Sequence, residues 1–208
     1  ACVVRDGVPT LKYQAELEKL PLMIPAYNIA TIGAGGGSIA RVEGGLLKVG
    51  PQSAGAEPGP ICYGRGGKRP TFTDAAVELG FIDPENFLGG EVRLDMGAAR
   101  AGIVEHVADP LGLTATEAAR GIFDVLLART VSAIREITVQ EGFDPREFSM
   151  LAYGGAGPMF VPLVAREMGV REVIVPQAPA GFSAWGMLMT DLVQEYSETA
   201  VGLLMQIG

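Results

Sequence analysis

A chain of 208 residues with 48% apolar side chains can bury a sizeable core in one large or two small domains. Its formal net charge of −8, with no basic run longer than Gly66-Gly67-Lys68-Arg69, argues against nucleic acid or an anionic membrane surface as the main partner. No apolar stretch reaches the roughly 18 residues of a membrane span and no basic-then-apolar leader opens the chain, so the sequence reads as cytoplasmic.

The opening Ala1-Cys2-Val3-Val4, the turn dipeptide Asp6-Gly7 and a second extended stretch through Tyr13 predict a β-hairpin. A chain that starts inside a strand reads as a piece of a longer fold. A further extended run, Tyr27 to Ile32, delivers the backbone into the cluster Gly33-Ala34-Gly35-Gly36-Gly37-Ser38. Ile39 to Glu43 and Leu46 to Val49 then flank Gly44-Gly45, a second hairpin signal.

From Pro51 to Pro70, glycine and proline make up nearly half of the residues, which predicts no regular element. Ile61, Cys62 and Tyr63 make this stretch less polar than a flexible linker, so an ordered loop packed on the domain is expected. Thr71-Phe72-Thr73-Asp74 leads into a short helix, Ala75 to Leu79, with Asp74 as its N-cap. Asp95 is placed to cap a helix that contains Ala98 to Ala108.

Thr114 and Glu117 have the spacing of a capping box. Ala118, Ile122, Val125, Leu126, Ala133 and Ile137 recur at helical spacing, and Gly142 sits where a terminating glycine belongs. A single helix of about 27 residues, roughly 40 Å long, is expected. Phe143-Asp144-Pro145 turns the chain into a short strand, Met150 to Tyr153, which ends at Gly154-Gly155-Ala156-Gly157 before a helix from Pro158 to Met168. Strand, glycine turn and helix start together read either as a tight connection in an α/β sheet or as a site for a phosphate or ribose-phosphate, since the backbone can approach closely and the helix N-terminus offers free N–H groups. Glu172 to Pro176 reads as the next buried strand, and the tail from Ala178 to Gly208 has no assignable pattern near its end.

Two common phosphate motifs fail on context. A dinucleotide fingerprint needs a third glycine where Ser38 stands, and a helix where a hairpin follows. A P-loop needs Ser or Thr after Gly67-Lys68, where Arg69 stands. The single histidine, His106, excludes a His-based triad within the chain and reads as a structural residue. Cys2 and Cys62 lack the spacing of a zinc site or disulfide framework, and Cys62 reads as a packed apolar side chain rather than a nucleophile. Arg129, Arg135 and Glu136 read as a solvated helix face.

Five stretches, Thr31 to Ala40, Val49 to Pro60, Cys62 to Gly67, Thr71 to Asp74 and Tyr153 to Pro158, resemble in this order the hydantoinase A/5-oxoprolinase family. That family includes ATP-dependent hydantoinases and oxoprolinases and the ATP-using subunits of acetone and acetophenone carboxylases. The resemblance implies an α/β fold of the actin-like ATPase (ribonuclease H-like) class, a mixed sheet flanked by helices with an ordered glycine/proline-rich insertion at 51–70. Residues 1–208 would form the second domain of the ATPase core, truncated at its N-terminal side. The family's two Asp-Gly-Gly-Thr phosphate motifs are absent from these residues, so the stretch alone is expected to lack ATPase activity.

By the same resemblance, Gly154, Gly155, Ala156 and Gly157 match the adenosine-contacting turn. Gly33, Gly35, Gly36, Gly37 and Ser38 would border the nucleotide or the acceptor substrate, with Ser38 either donating to a phosphate or capping the turn. Asp74 is the candidate catalytic carboxylate for substrate or Mg²⁺ contact, its alternative being the helix cap, and no residue of the chain is assigned as a resident metal ligand. Cofactors would be ATP and Mg²⁺, the substrate a small cyclic amide or a ketone, and the partner a second subunit of the hydantoinase B type. The reaction implied is phosphorylation of a carbonyl oxygen for amide hydrolysis. Ketone carboxylation and a non-catalytic scaffold that keeps the fold are the alternatives. Family members commonly carry a histidine shortly after the turn, where this chain has Met159-Phe160, and Pro162 is expected to distort the first turns of the helix.

Overall fold

Asp6 and Gly7 both adopt left-handed backbone angles, φ 51° and 79°, as a two-residue hairpin turn requires. They join β1 (Val4–Arg5) to β2 (Val8–Pro9) in antiparallel register. The computed structural model describes residues 1–12, 15–17, 20–22 and 25–191, with side chains outside 13–24. Tyr13 and the end of the tail, 192–208, therefore lie outside the described residues. β3 (Leu11–Lys12) pairs antiparallel with β6 (Ala26–Tyr27), and β4 (Ala15–Leu17) with β5 (Leu20–Leu22).

The second hairpin also forms as its turn dipeptide dictates, with Gly44 and Gly45 at φ 60° and 75° between β7 (Ser38–Glu43) and β8 (Leu46–Ser53). β8 runs into the stretch expected to be irregular. Between the pairs Ser38–Ser53 and Ala40–Val49 the register slips, so Gly50, Pro51 and Gln52 bulge opposite Ile39. A bulge tolerates a proline inside a strand, which is why Pro51 does not end β8. The remainder of the Gly/Pro-rich stretch is irregular apart from one 3₁₀ turn, Ile61–Tyr63, and it buries Pro60, Cys62 and Pro70 against the domain.

α1 spans Phe72–Glu78, starting earlier than the sequence suggests. Its N-cap is Thr71, not Asp74. Thr71 has the extended backbone of a cap and its hydroxyl accepts from the Asp74 N–H, while Asp74 reaches back to the Thr71 N–H. α2 (Met96–Ile103) is capped by Asp95, whose carboxylate accepts from the Ala98 N–H at 2.8 Å. It continues through a π-helical turn, Val104–Ala108, into the short α3 (Asp109–Leu111), which stops at Gly112 with φ 66°. His106 lies half-buried in the π turn.

α4 (Ala115–Ile137) carries the expected Thr114–Glu117 capping box. It is 23 residues long, roughly 35 Å, because Thr138 leaves helical angles and only a 3₁₀ turn, Val139–Glu141, connects to Gly142. β9 (Met150–Leu151), α5 (Gly157–Met168) and β10 (Val173–Ile174) form a βαβ unit whose strands pair in parallel. α6 (Phe182–Leu188) follows a 3₁₀ turn.

The fold is mixed α/β, but among the described residues its strands form five separate two-stranded pairs rather than one mixed sheet. The long hairpin packs sideways on α4 instead of extending β9–β10. Leu47 of β8 nests at Gly121 of α4, where an added Cβ would sit 3.1 Å from its side chain. Nor is Glu172 to Pro176 buried: Ile174 and Val175 remain 47% and 48% exposed. The core lies where α1, α2, α4 and α5 meet the hairpin, centred on Phe72, Ile103, Ile122, Phe123, Leu126 and Val164. Each such side chain contributes roughly 1.5–3 kcal/mol through burial. Among the described residues no helix is long and apolar enough to cross a membrane.

Candidate functional site

The Gly33–Ser38 loop enters β7, and its glycine carbonyls are held by donors of the chain. Ser38 accepts from the Gly35 N–H at 3.0 Å and donates to the Gly33 carbonyl at 3.3 Å, so in this structure it fastens its own turn. Thr73, in the first turn of α1, gives both its N–H and its hydroxyl to the Gly36 carbonyl, each at 2.9 Å. The Ala54 N–H takes the Gly37 carbonyl at 2.8 Å. The glycines fit this packing: a Cβ on Gly36 would lie 2.7 Å from the Thr73 hydroxyl, and one on Gly37 2.6 Å from that of Ser53.

Asp74 stands next to Thr73 and is fully buried. Its Oδ1 accepts from the Cys62 N–H at 2.8 Å, and its Oδ2 from the Ile61 N–H at 3.2 Å and from the N–H and hydroxyl of Thr71, both at 2.8 Å. A carboxylate with about four acceptor directions is thus saturated by donors of its own chain. It ties the 3₁₀ turn of the Gly/Pro-rich stretch to the start of α1. Cys62 lies buried beside it, and burial first, the Asp74 charge second, push the thiol far above its ordinary range. The neutral thiol is no nucleophile. An open cleft of about 460 Å³ adjoins this region, with Ser53, Glu57, Lys68 and Arg69 among its lining.

Arg129 does not lie on a solvated face. From α4 its guanidinium donates to the Val49 carbonyl and, at 3.2 Å, to that of Ile32, the last residues before the bulge and before the glycine loop. Arg135 and Glu136, about two turns on, are exposed as expected. The signal for Arg129 was present in the spacing, since it falls in the buried stripe Ile122, Leu126, Ala133.

The second region is the turn after β9. Gly154 takes the left-handed conformation, φ 84°, and donates to the Pro179 carbonyl at 2.7 Å. α5 begins after Ala156 with no side-chain cap, and Pro158 occupies its first turn. A Cβ on Gly154 or Gly155 would meet nothing within 4 Å. Exposed Tyr153 packs on Phe182, ring centroids 5.5 Å apart, and Phe182 stacks on Trp185, giving the turn an aromatic flank. Phe160, where a histidine was the resemblance's expectation, is buried edge-on to Phe72 at 5.2 Å. It is core. Pro162 is accommodated inside α5, which runs unbroken to Met168.

The structure thus brings Gly36, Gly37, Ser38 and Asp74 together through Thr71 and Thr73. It joins Gly154–Gly157 to them through the core, where Phe160 of α5 meets Phe72 and Phe123. Among the described residues no three His, Cys, Asp or Glu side chains gather to hold a metal ion.

Comparison with known proteins gives a consistent match. The profile of the family described as Hydantoinase/oxoprolinase covers residues 1–196. The chain is 43% identical over 189 residues to the caprolactamase subunit alpha of Pseudomonas jessenii, covering 90% of this chain and 27% of that one. It is 36% identical to the acetophenone carboxylase gamma subunit of Aromatoleum aromaticum over its whole length and 28% of that protein. The crystal structure of the ATP-dependent caprolactamase from P. jessenii superimposes with a TM-score of 0.80 at 40% identity, over 88% of this chain and 26% of that one. The chain therefore spans about a quarter of the length of these relatives.

Proposed function

Because this chain belongs to the hydantoinase/oxoprolinase family, we propose that it forms the second domain of an actin-like ATPase core and serves the ATP-dependent opening of a cyclic amide. The observation that carries the reading is the turn at Gly154–Gly157. It lies at the carboxyl end of a parallel strand, with an uncapped helix start and, among the described residues, no atom within 4 Å of a Cβ on Gly154 or Gly155, which suits a ribose-phosphate. ATP supplies a phosphoryl group that makes a carbonyl carbon electrophilic. In the cyclic amide the γ-phosphorus–oxygen bond to ADP breaks and one to the carbonyl oxygen forms. Water then adds to the carbon and the ring C–N bond breaks, leaving an amine and an acyl phosphate, and a second water hydrolyses the acyl phosphate to the carboxylate and phosphate.

For such chemistry the chain's own contribution is positioning. The turn would hold the nucleotide through backbone N–H groups, with Tyr153 and its aromatic neighbours beside it. The Gly33–Ser38 loop would border the phosphates or the acceptor. Asp74 would act through the frame beneath that loop, its oxygens being engaged, and the Mg²⁺ that accompanies ATP finds no ligand set among the described residues. The Gly/Pro-rich surface at 51–70 is the proposed contact for a second subunit. Resemblance to the acetophenone carboxylase gamma subunit favours a second reading, activation of a ketone for carboxylation.

The test is substrate-dependent phosphate release by the full-length protein with its partner subunit. Release with lactams or cyclic ureides, and a ring-opened product, supports the amide reading. Release only with a ketone and bicarbonate moves the assignment to carboxylation. Failure to bind an ATP analogue or to cleave ATP with either class would sink both.

A further inference from the structure

Arg129 is a half-buried guanidinium with no carboxylate partner among the described residues. Its two arms reach carbonyls 80 and 97 residues away in the chain, Val49 and Ile32. The approach is close. A Cβ on Gly50 would lie 3.3 Å from Nη1 and 3.0 Å from the Gly33 carbonyl oxygen. A flat fork with fixed donors suits two carbonyls on different segments, whereas a single ammonium is a point donor on a flexible stem.

What the fork fixes is the orientation of the glycine loop. The carbonyls of Ile32, Gly33, Gly35, Gly36 and Gly37 all accept from donors of the chain: Arg129, the Ser38 hydroxyl and N–H, Thr73 and Ala54. The N–H groups of Ala34, Gly36 and Gly37 have no acceptor among the described residues, and these residues are exposed or half-buried. Free backbone N–H groups close together in a loop are the kind of donor that an anionic oxygen takes. The Arg129 charge stands behind it.

We propose that Arg129 is a positioning residue: by bridging the Ile32 and Val49 carbonyls it holds the free N–H groups of the Gly33–Ser38 loop ready for a phosphate-like oxyanion. The oxyanion belongs either to the nucleotide or to the activated acceptor. The proposal rests on the reading that this loop borders the ligand.

The experiment uses the full-length protein with its partner subunit, in the variants Arg129→Met, Arg129→Lys and Gly35→Val. Affinity for a non-hydrolysable ATP analogue and KM and kcat for the cyclic amide are measured beside circular dichroism melts. Arg129→Met raises the nucleotide Kd or the substrate KM about tenfold or more, and whichever constant moves identifies the source of the oxyanion. Arg129→Lys, which reaches one carbonyl but not both, raises the same constant about threefold or more and serves if the Met variant does not fold. Gly35→Val adds a side chain where no protein atom lies within 4 Å, so it probes the ligand and not the packing. If Gly35→Val weakens binding while the folded Arg129 variants stay within about twofold of wild type, Arg129 is merely structural and the loop reading survives. If all three leave both constants unchanged, the loop reading fails and the proposal with it.

Discussion

The two glycine clusters look alike as sequence and differ in what requires the glycine. At Gly36 and Gly37 the protein itself occupies the space a Cβ would need, and donors from Ser38, Thr73 and Ala54 hold the loop from behind. A Cβ added at Gly154 or Gly155 would meet no atom of the described residues within 4 Å. Gly154 has a conformational reason, its φ of 84°, but Gly155 has neither a left-handed angle nor a crowded neighbourhood. A side chain would therefore meet backbone strain at Gly154 and not at Gly155. Packing and backbone angle leave the glycine at 155 unexplained, which the proposed nucleotide contact would explain. The first cluster is a built frame, the second an open seat.

The contrast breaks most visibly at Asp74, which anchors the frame. Asp74→Ala removes the acceptor for three backbone N–H groups and a hydroxyl in a dry site, and should lower stability by about 3–5 kcal/mol in denaturant titration. An Asp74→Ala protein of normal stability that has lost only turnover would reinstate this carboxylate as a substrate or metal contact.

Gly155→Val sharpens the other half. The full-length variant should melt within about a degree of wild type, since its Cβ meets no protein atom, yet bind an ATP analogue at least about tenfold more weakly. Gly37→Val should do the reverse, losing stability first through its clash with Ser53. Unchanged nucleotide affinity in folded Gly155→Val would leave the turn a mere connection.

The smallest effect concerns the thiol under the frame. Cys62 stays neutral in the fold because burial raises its pKa, whereas the unfolded thiol ionises at an ordinary value. Its contribution to stability is therefore intact below about pH 8.5 and declines as pH rises above it, by about 1.4 kcal/mol for each further pH unit while the folded thiol holds its proton. Cys62→Ser, ionising in neither state, should flatten that alkaline loss. Exposed Cys2 should react with a thiol reagent in the native protein while Cys62 does not.

What the sequence made legible was local. Asp6-Gly7, Gly44-Gly45 and Thr114 with Glu117 each settle their structure within four residues, and each formed as read. Thr71 with Asp74 has the same spacing as Thr114 with Glu117, yet both Thr71 and Asp74 are good caps, and only the extended angles at Thr71 decide between them. The role of Arg129 depended on carbonyls brought to it from far along the chain, which no periodicity in α4 reports beyond its place in the apolar stripe. Pairing of the strands was equally non-local, so the expected single sheet was an inference about partners rather than about the strands themselves.

The contact between Phe160 and Phe72 places the frame and the seat mechanically in series. Phe160 sits in the first turn of the helix that leaves the open turn, and Phe72 precedes Thr73, whose hydroxyl and N–H grip the glycine loop. Close-packed interiors yield little under load, so a push on α5 along this line arrives at α1 undamped. A nucleotide seated at Gly154–Gly157 should then slow amide exchange at 33–38, and equal exchange with and without it would show the two regions to be insulated. The ring of Phe160 would then be a strut, and what loads one end of it would bear on the other.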